Sequence, residues 1–264
     1  MKLLSNSRIW AIAVIMFSGL VYVAGCTRDN DMLVPIKLTQ PFAPNRGNAI
    51  LLPGNMTAGN ATEWKLDKAH SSVLWSGAYI GAAGLLTGRF NQFGMHNVVD
   101  AEMINYVTTG QPLKDSSWSF YESDPSKTHI NGYVQINTSN TGEPGRDGGC
   151  NISSLGTTVI VTGTQNLTVT NLAKIRSTKV ELDPASNGYI VTLELTWKGL
   201  LAQPLTKTLI GKLNYVPKST PTGATYDVFG LQLTFQFNKA DFGITSTNIG
   251  DKISIECNMN FNNK

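Results

Sequence analysis

Charge is scarce in this chain, histidine is scarcer, and a helical repeat is missing. Only 15% of the 264 residues are charged and no block of like charge occurs, which excludes the electrostatic footprint of a nucleic-acid binder. The three histidines, His70, His96 and His129, lack the spacing that brings two imidazoles onto one metal, so no metal site is expected. Serine is plentiful, but no Gly-x-Ser-x-Gly elbow occurs and no nucleophile and base pair stands out. The reading is therefore of a protein with no catalytic residues and no cofactor, not an enzyme.

What the chain does have begins at its N-terminus. Lys2 and Arg8 precede an apolar run from Ile9 to Val23, and small residues follow, the pattern of a secretory signal over residues 1–25. The run is too short to cross a bilayer comfortably. Val23-Ala24-Gly25-Cys26 resembles the lipobox of bacterial lipoproteins, in which the cysteine is acylated. Cys26 is the expected lipidation site, since two or more acyl chains anchor stably where one is marginal. Thr27 rather than Asp follows it, and by similarity to lipoprotein sorting in Gram-negative cells the expected location is the outer membrane, facing the periplasm. Removing residues 1–25 lowers the formal net charge from +3 to +1, with 19 basic residues against 18 acidic. Cys150 and Cys257 then remain, and either a disulfide or two buried thiols suits an oxidising compartment.

Residues 26–62 carry Pro35, Pro41, Pro44 and Pro53 with no sustained periodicity, which reads as a tether; a short docked strand at Ile50 to Leu52 stays open. As a flexible coil it spans on the order of 30 Å. From residue 63 to 264 the pattern is period two. Tyr189, Val191, Leu193, Leu195 and Trp197 alternate with polar neighbours, as do Leu231, Leu233, Phe235 and Phe237, and Ile253, Ile255, Cys257, Met259 and Phe261. Weaker alternation covers Val73 to Tyr79, Met103 to Val107, Tyr133 to Ile136, Thr157 to Val161, Leu167 to Thr170, Arg176 to Leu182 and Lys207 to Tyr215. Leu85 to Phe90 reads at most as a turn. Turn signals at Asn187-Gly188 and Pro221-Thr222-Gly223 separate the runs. The fold class is all-β and antiparallel, with eight or more strands, which suits a closed barrel or a sandwich.

Several stretches resemble the YceI-like family of bacterial envelope proteins that bind polyisoprenoids. Trp64-Lys65-Leu66-Asp67-Lys68-Ala69-His70-Ser71-Ser72-Val73 is similar to its first strand, and Thr87-Gly88-Arg89-Phe90-Asn91-Gln92-Phe93 to its next turn. Ala173-Lys174-Ile175-Arg176-Ser177-Thr178 and Leu195-Thr196-Trp197-Lys198-Gly199-Leu200 follow in order, the second in place of Leu-Thr-Ile-Arg-Gly-Val. Phe237-Asn238-Lys239-Ala240-Asp241-Phe242-Gly243-Ile244 resembles the closing motif, with Lys239 replacing an arginine. The central Arg146-Asp147 is followed by Gly148-Gly149-Cys150 in place of the family's pattern, and residues 142–171 read as a diverged segment.

The resemblance implies an up-and-down, lipocalin-like β-barrel of about eight strands whose interior holds a polyisoprenoid, of quinone or polyprenyl-phosphate type. The partners it implies are that lipid ligand and, through Cys26, a membrane; no nucleic acid is expected, and oligomeric state is not legible. The shielded face of the two best strands then supplies the ligand-binding residues Val191, Leu193, Leu195, Trp197, Leu231, Leu233, Phe235 and Phe237. Asp241-Phe242-Gly243 should shape a barrel end, with Phe242 in the core and Asp241 either accepting hydrogen bonds from loop backbone or paired with a cation such as Lys239 or Arg89. The alternatives are an envelope enzyme acting on a lipid-like substrate and a barrel embedded in the outer membrane, which would turn its apolar face outward.

Overall fold

The computed structural model describes residues 47–53, 64–80, 83–95, 118–142 and 171–264. The signal segment, Cys26, Cys150, His96, Arg146-Asp147 and the strands expected at Met103 to Val107, Thr157 to Val161 and Leu167 to Thr170 lie outside these residues. The long strands, β9 (Leu172–Asp183), β10 (Gly188–Trp197), β11 (Leu205–Ser219), β12 (Val228–Asn238) and β13 (Ile249–Asn262), form an antiparallel meander. Ahead of them come β1 (Ile50–Leu51), β2 (Lys65–Leu66), β3 (Ser72–Tyr79), β4 (Leu85–Phe90), β5 (Phe93–Gly94), β6 (Trp118–Tyr121), β7 (His129–Gln135) and β8 (Ser139–Asn140).

Pairing returns the sheet on itself. Strand β13 pairs with β3 and β3 with β4. Across the remaining gap, Arg89 and Phe90 face Asn140 and Ser139, while Phe93 and Gly94 face Val134 and Tyr133. The other edge of β7 pairs with β9, which completes an up-and-down barrel of eight walls: β3, β4–β5, β7–β8 and β9 to β13. Leu85–Phe90 is thus a strand rather than a turn. Its alternation is hidden in the sequence because Thr87-Gly88-Arg89 puts a glycine on the inner face and polar residues outside.

Period two decides the faces, because successive strand residues point to opposite sides of the sheet. Tyr189, Val191, Leu193, Leu195 and Trp197 are buried, as are Phe229, Leu231, Leu233, Phe235 and Phe237. Thr192, Glu194, Gln232, Thr234, Ser254 and Glu256 take the opposite face. Apolar inside and polar outside is the reverse of a lipid-facing barrel.

Aromatic rings fill one end. Phe229 stacks on Phe261 at 4.4 Å, Trp64 meets Phe229 edge-on at 4.7 Å, and Trp118 lies 4.7 Å from Phe261. Such pairs add about 0.5–1.5 kcal/mol each beyond the area they bury. Within the stretch read as a tether, β1 pairs with β6, setting Leu51 opposite Phe120, so residues 47–53 form part of this end.

The opposite end is shaped by the Asp241-Phe242-Gly243 motif. Lys239–Phe242 form a 3-10 turn that ends on Gly243 at φ +77°, a left-handed conformation glycine adopts without steric cost. Phe242 is fully buried between Trp197 at 5.1 Å and Phe237 at 5.6 Å. Leu200 N–H donates to the Phe242 carbonyl at 2.9 Å, and Gly199, at φ +54°, lies so close that a Cβ there would stand 2.3 Å from that same oxygen. Asp241 pairs with Lys207 at 3.2 Å, not with Lys239 or Arg89. Lys239 is itself buried and binds Asp251 at 2.8 Å.

Candidate functional site

Between the aromatic plug and the Phe242 cap the interior keeps a cavity of about 70 Å³. Among the described residues its wall is almost wholly apolar and contains no Asp, Glu, Lys, Arg or His. One cross-section is legible from the register: Val73, Cys257, Leu233 and Leu213 are ladder partners in sequence around β3, β13, β12 and β11, and all four border the cavity.

Of the eight residues expected to line the site, six border the cavity: Leu195, Trp197, Leu231, Leu233, Phe235 and Phe237. The other two, Val191 and Leu193, are fully buried but lie outside its wall, so they serve packing. The β5, β7 and β9 side of the wall was not anticipated: Phe93, Met95, Ile130, Val134, Ala173 and Ile175 all border the space. Strand β13 adds Ile255, Cys257 and Met259. Those three lie on an alternation plain in the sequence, whereas β5 is only two residues long and carries no period to read.

Two polar groups in this wall matter chemically. Burial, reinforced by the charge of neighbouring Glu256, pushes the Cys257 thiol up to about 12, so at neutral pH it is a protonated, unreactive group that behaves as a small hydrophobe. It is a free cysteine. The second is Trp197, whose buried indole N–H has no acceptor. By contrast, Trp75 donates to Ser139 Oγ at 2.8 Å. Asn131 and Tyr133, also in the wall, have partners of their own.

The histidines take local roles. His70 Nδ1 lies 2.8 Å from Asp67 Oδ2 on an exposed turn. His129 Nδ1 lies 2.7 Å from Ser119 Oγ, and the serine hydroxyl donates to the Lys127 carbonyl at 2.7 Å. With its one proton so placed, Ser119 accepts from the imidazole, the reverse of an activated nucleophile. Among the described residues no cluster of three metal-binding side chains occurs.

The family model for the YceI-like domain matches residues 64–261. The chain is similar to the crystal structure of BcnA from Burkholderia cenocepacia, at 12% identity over 74% of this chain and 99% of that one, with a TM-score of 0.41. A polyisoprenoid binding domain from Saccharophagus degradans is 14% identical over 75% of this chain and 97% of its own, TM-score 0.37. The Campylobacter jejuni YCEI protein is 15% identical over 76% and 98%, TM-score 0.41. No curated protein sequence matches the chain.

Proposed function

The chain belongs to the YceI-like family, and we propose that its barrel binds a polyisoprenoid or other long-chain lipid in the interior cavity and sequesters or carries it in the bacterial envelope. One observation carries the reading: an interior cavity walled by apolar side chains from β3 to β13, with no charged group among the described residues that line it. An isoprenoid tail needs only that. At about 0.8 kcal/mol per buried CH2, each isoprene unit contributes a few kcal/mol before ordering costs are counted.

The cavity at 70 Å³ is roughly half of the ~150 Å³ that lets an apolar void admit benzene. A tail therefore enters by displacing side chains, and Met95 and Met259 in the wall are the unbranched, adaptable ones. Anchoring through a lipidated Cys26 would hold the barrel beside the membrane that supplies such ligands, in the outer membrane by the Thr27 criterion. The test is solvent extraction of the purified full-length protein followed by mass spectrometry. Stoichiometric isoprenoid in the extract is expected; an extract free of lipid, from protein that also fails to take up added isoprenoid, would overturn the reading.

A further inference from the structure

We propose that the end of the barrel closed by Phe242 is a docking surface for a lipid bilayer with anionic headgroups. Two hairpins at this end hold large apolar side chains out in water. Ile80 and Leu85, in the β3–β4 hairpin, are 56% and 68% exposed, and Leu200, in the β10–β11 turn, is 50% exposed. In the strand order the β12–β13 pair lies between these two hairpins, and its connecting segment bridges them. Ile80 N–H donates to the Asn248 carbonyl at 3.1 Å, and Leu200 N–H to the Phe242 carbonyl at 2.9 Å. The apolar tips therefore flank the Phe242 cap on two sides of one barrel mouth. Projecting tips around a closed mouth suit a broad, yielding partner rather than a ligand held in a groove.

Charge names the partner. Residues 78–85, 198–207 and 239–252 carry four lysines, Lys198, Lys207, Lys239 and Lys252, against two acids, Asp241 and Asp251. Asp241 pairs with Lys207 at 3.2 Å and Asp251 with Lys239 at 2.8 Å. Lys198 and Lys252 are left with no acidic partner among the described residues. Exposed apolar side chains beside unpaired lysines suit a lipid interface, where the apolar groups enter the acyl boundary and the amines meet anionic headgroups. The aromatic end lacks this bias. Ile50 and Leu52 are exposed there, but residues 64–71, 122–128, 183–188, 218–227 and 263–264 carry five lysines against five acids. Docking stands without the isoprenoid reading; its use, bringing lipid to the cavity, rests on that reading. Phe242 packs on Trp197 and Phe237, which border the cavity, so a bilayer held here meets the end nearest those residues.

The experiment places the polarity-sensitive fluorophore dansylalanine at Ala83, Gln203 or Thr222, all exposed, in the full-length protein. The first two positions flank the capped mouth, and Thr222 lies in the β11–β12 turn at the aromatic end. On vesicles of phosphatidylglycerol and phosphatidylcholine, the probes at 83 and 203 should shift to the blue and be quenched by doxyl-labelled lipid. The probe at 222 should stay in water. Lys198→Gln and Lys252→Gln should each lower the ratio of docked to undocked barrels about fivefold, and pure phosphatidylcholine should lower it further. Ile80→Ser combined with Leu200→Ser should remove the shift while circular dichroism shows an intact barrel. Entry of no probe, or of the probe at 222 alone, would overturn the proposal. Shifts as large on pure phosphatidylcholine and indifferent to both lysines would remove the anionic surface as the partner. A blue shift that appears without vesicles and grows with protein concentration would assign this face to a second copy of the chain. Each of these results leaves isoprenoid binding, read by extraction, standing. Probes that enter the bilayer in a protein whose extract holds no isoprenoid would remove the binding reading and keep the docking surface.

Discussion

Raising the pH should destabilise this protein through one thiol, and the size of the effect follows from where that thiol sits. Burial, then the charge of Glu256, opposes the thiolate and pushes Cys257 up to about 12 in the folded chain, against 9.0 for an exposed thiol. The folded value is raised, so the stabilisation is fully present below 9.0 and is lost as pH climbs toward 12, where the unfolded chain has released a proton that the folded chain keeps. At about pH 10.5, roughly one and a half units into that window, the loss is about 2 kcal/mol at 1.36 kcal/mol per unit. Urea unfolding at about pH 8 and 10.5, on wild type and Cys257→Ala, isolates it, because other titrating groups are common to both. The alanine variant should lose about 2 kcal/mol less over that interval. Parallel losses in the two proteins would show that water reaches the thiol and that the cavity wall is not dry.

Other outcomes follow from the same geometry. Leu233→Trp places an indole into a 70 Å³ cavity; it should cost about 1–3 kcal/mol by overpacking and shorten the longest isoprenoid retained, as read by mass spectrometry of extracts, with circular dichroism reporting an intact barrel. Gly199→Ala sets a methyl 2.3 Å from the Phe242 carbonyl at a positive φ; a loss of at least about 2 kcal/mol is expected, visible as a fall in melting temperature. Cys26→Ser should abolish incorporation of labelled palmitate and release the protein from membranes; retention on membranes after a high-salt wash would end the lipoprotein reading.

How much of this was legible in the sequence depends on where periodicity survives. Strands β10, β12 and β13 announce themselves because every second residue is apolar over nine positions in each. Strand β4 does not, because its inner face runs Leu86, Gly88, Phe90 and the middle position is empty. Strand β7 is likewise blurred by Gly132 on the inside and by Gln135, which is fully buried although its parity puts it outside. The pairing of Asp241 was misplaced for a similar reason. Proximity in sequence favoured Lys239, but that side chain is buried and turned to Asp251, leaving Lys207 from β11 to meet Asp241.

Period two assigns a residue to a face and is silent about depth, so it could name an inner wall yet not separate packing from lining. Val191 and Leu193 share the face of Leu195 and Trp197, but only the latter pair meets open space. The space itself arises from missing volume along β5, β7 and β9. There Gly94 and Gly132 lie so close that a Cβ on Gly132 would stand 3.2 Å from the Gly94 carbonyl oxygen, and Ala173 is the ladder partner of Val134. These three small residues border the cavity together with the large side chains of β10 and β12, and the void lies where the inner wall runs out of side chains. A site of this kind is written in the sequence as the absence of bulk at positions whose strands are too short to be recognised, which is why the large residues were found first and the small ones that make room for a ligand only with the fold in hand.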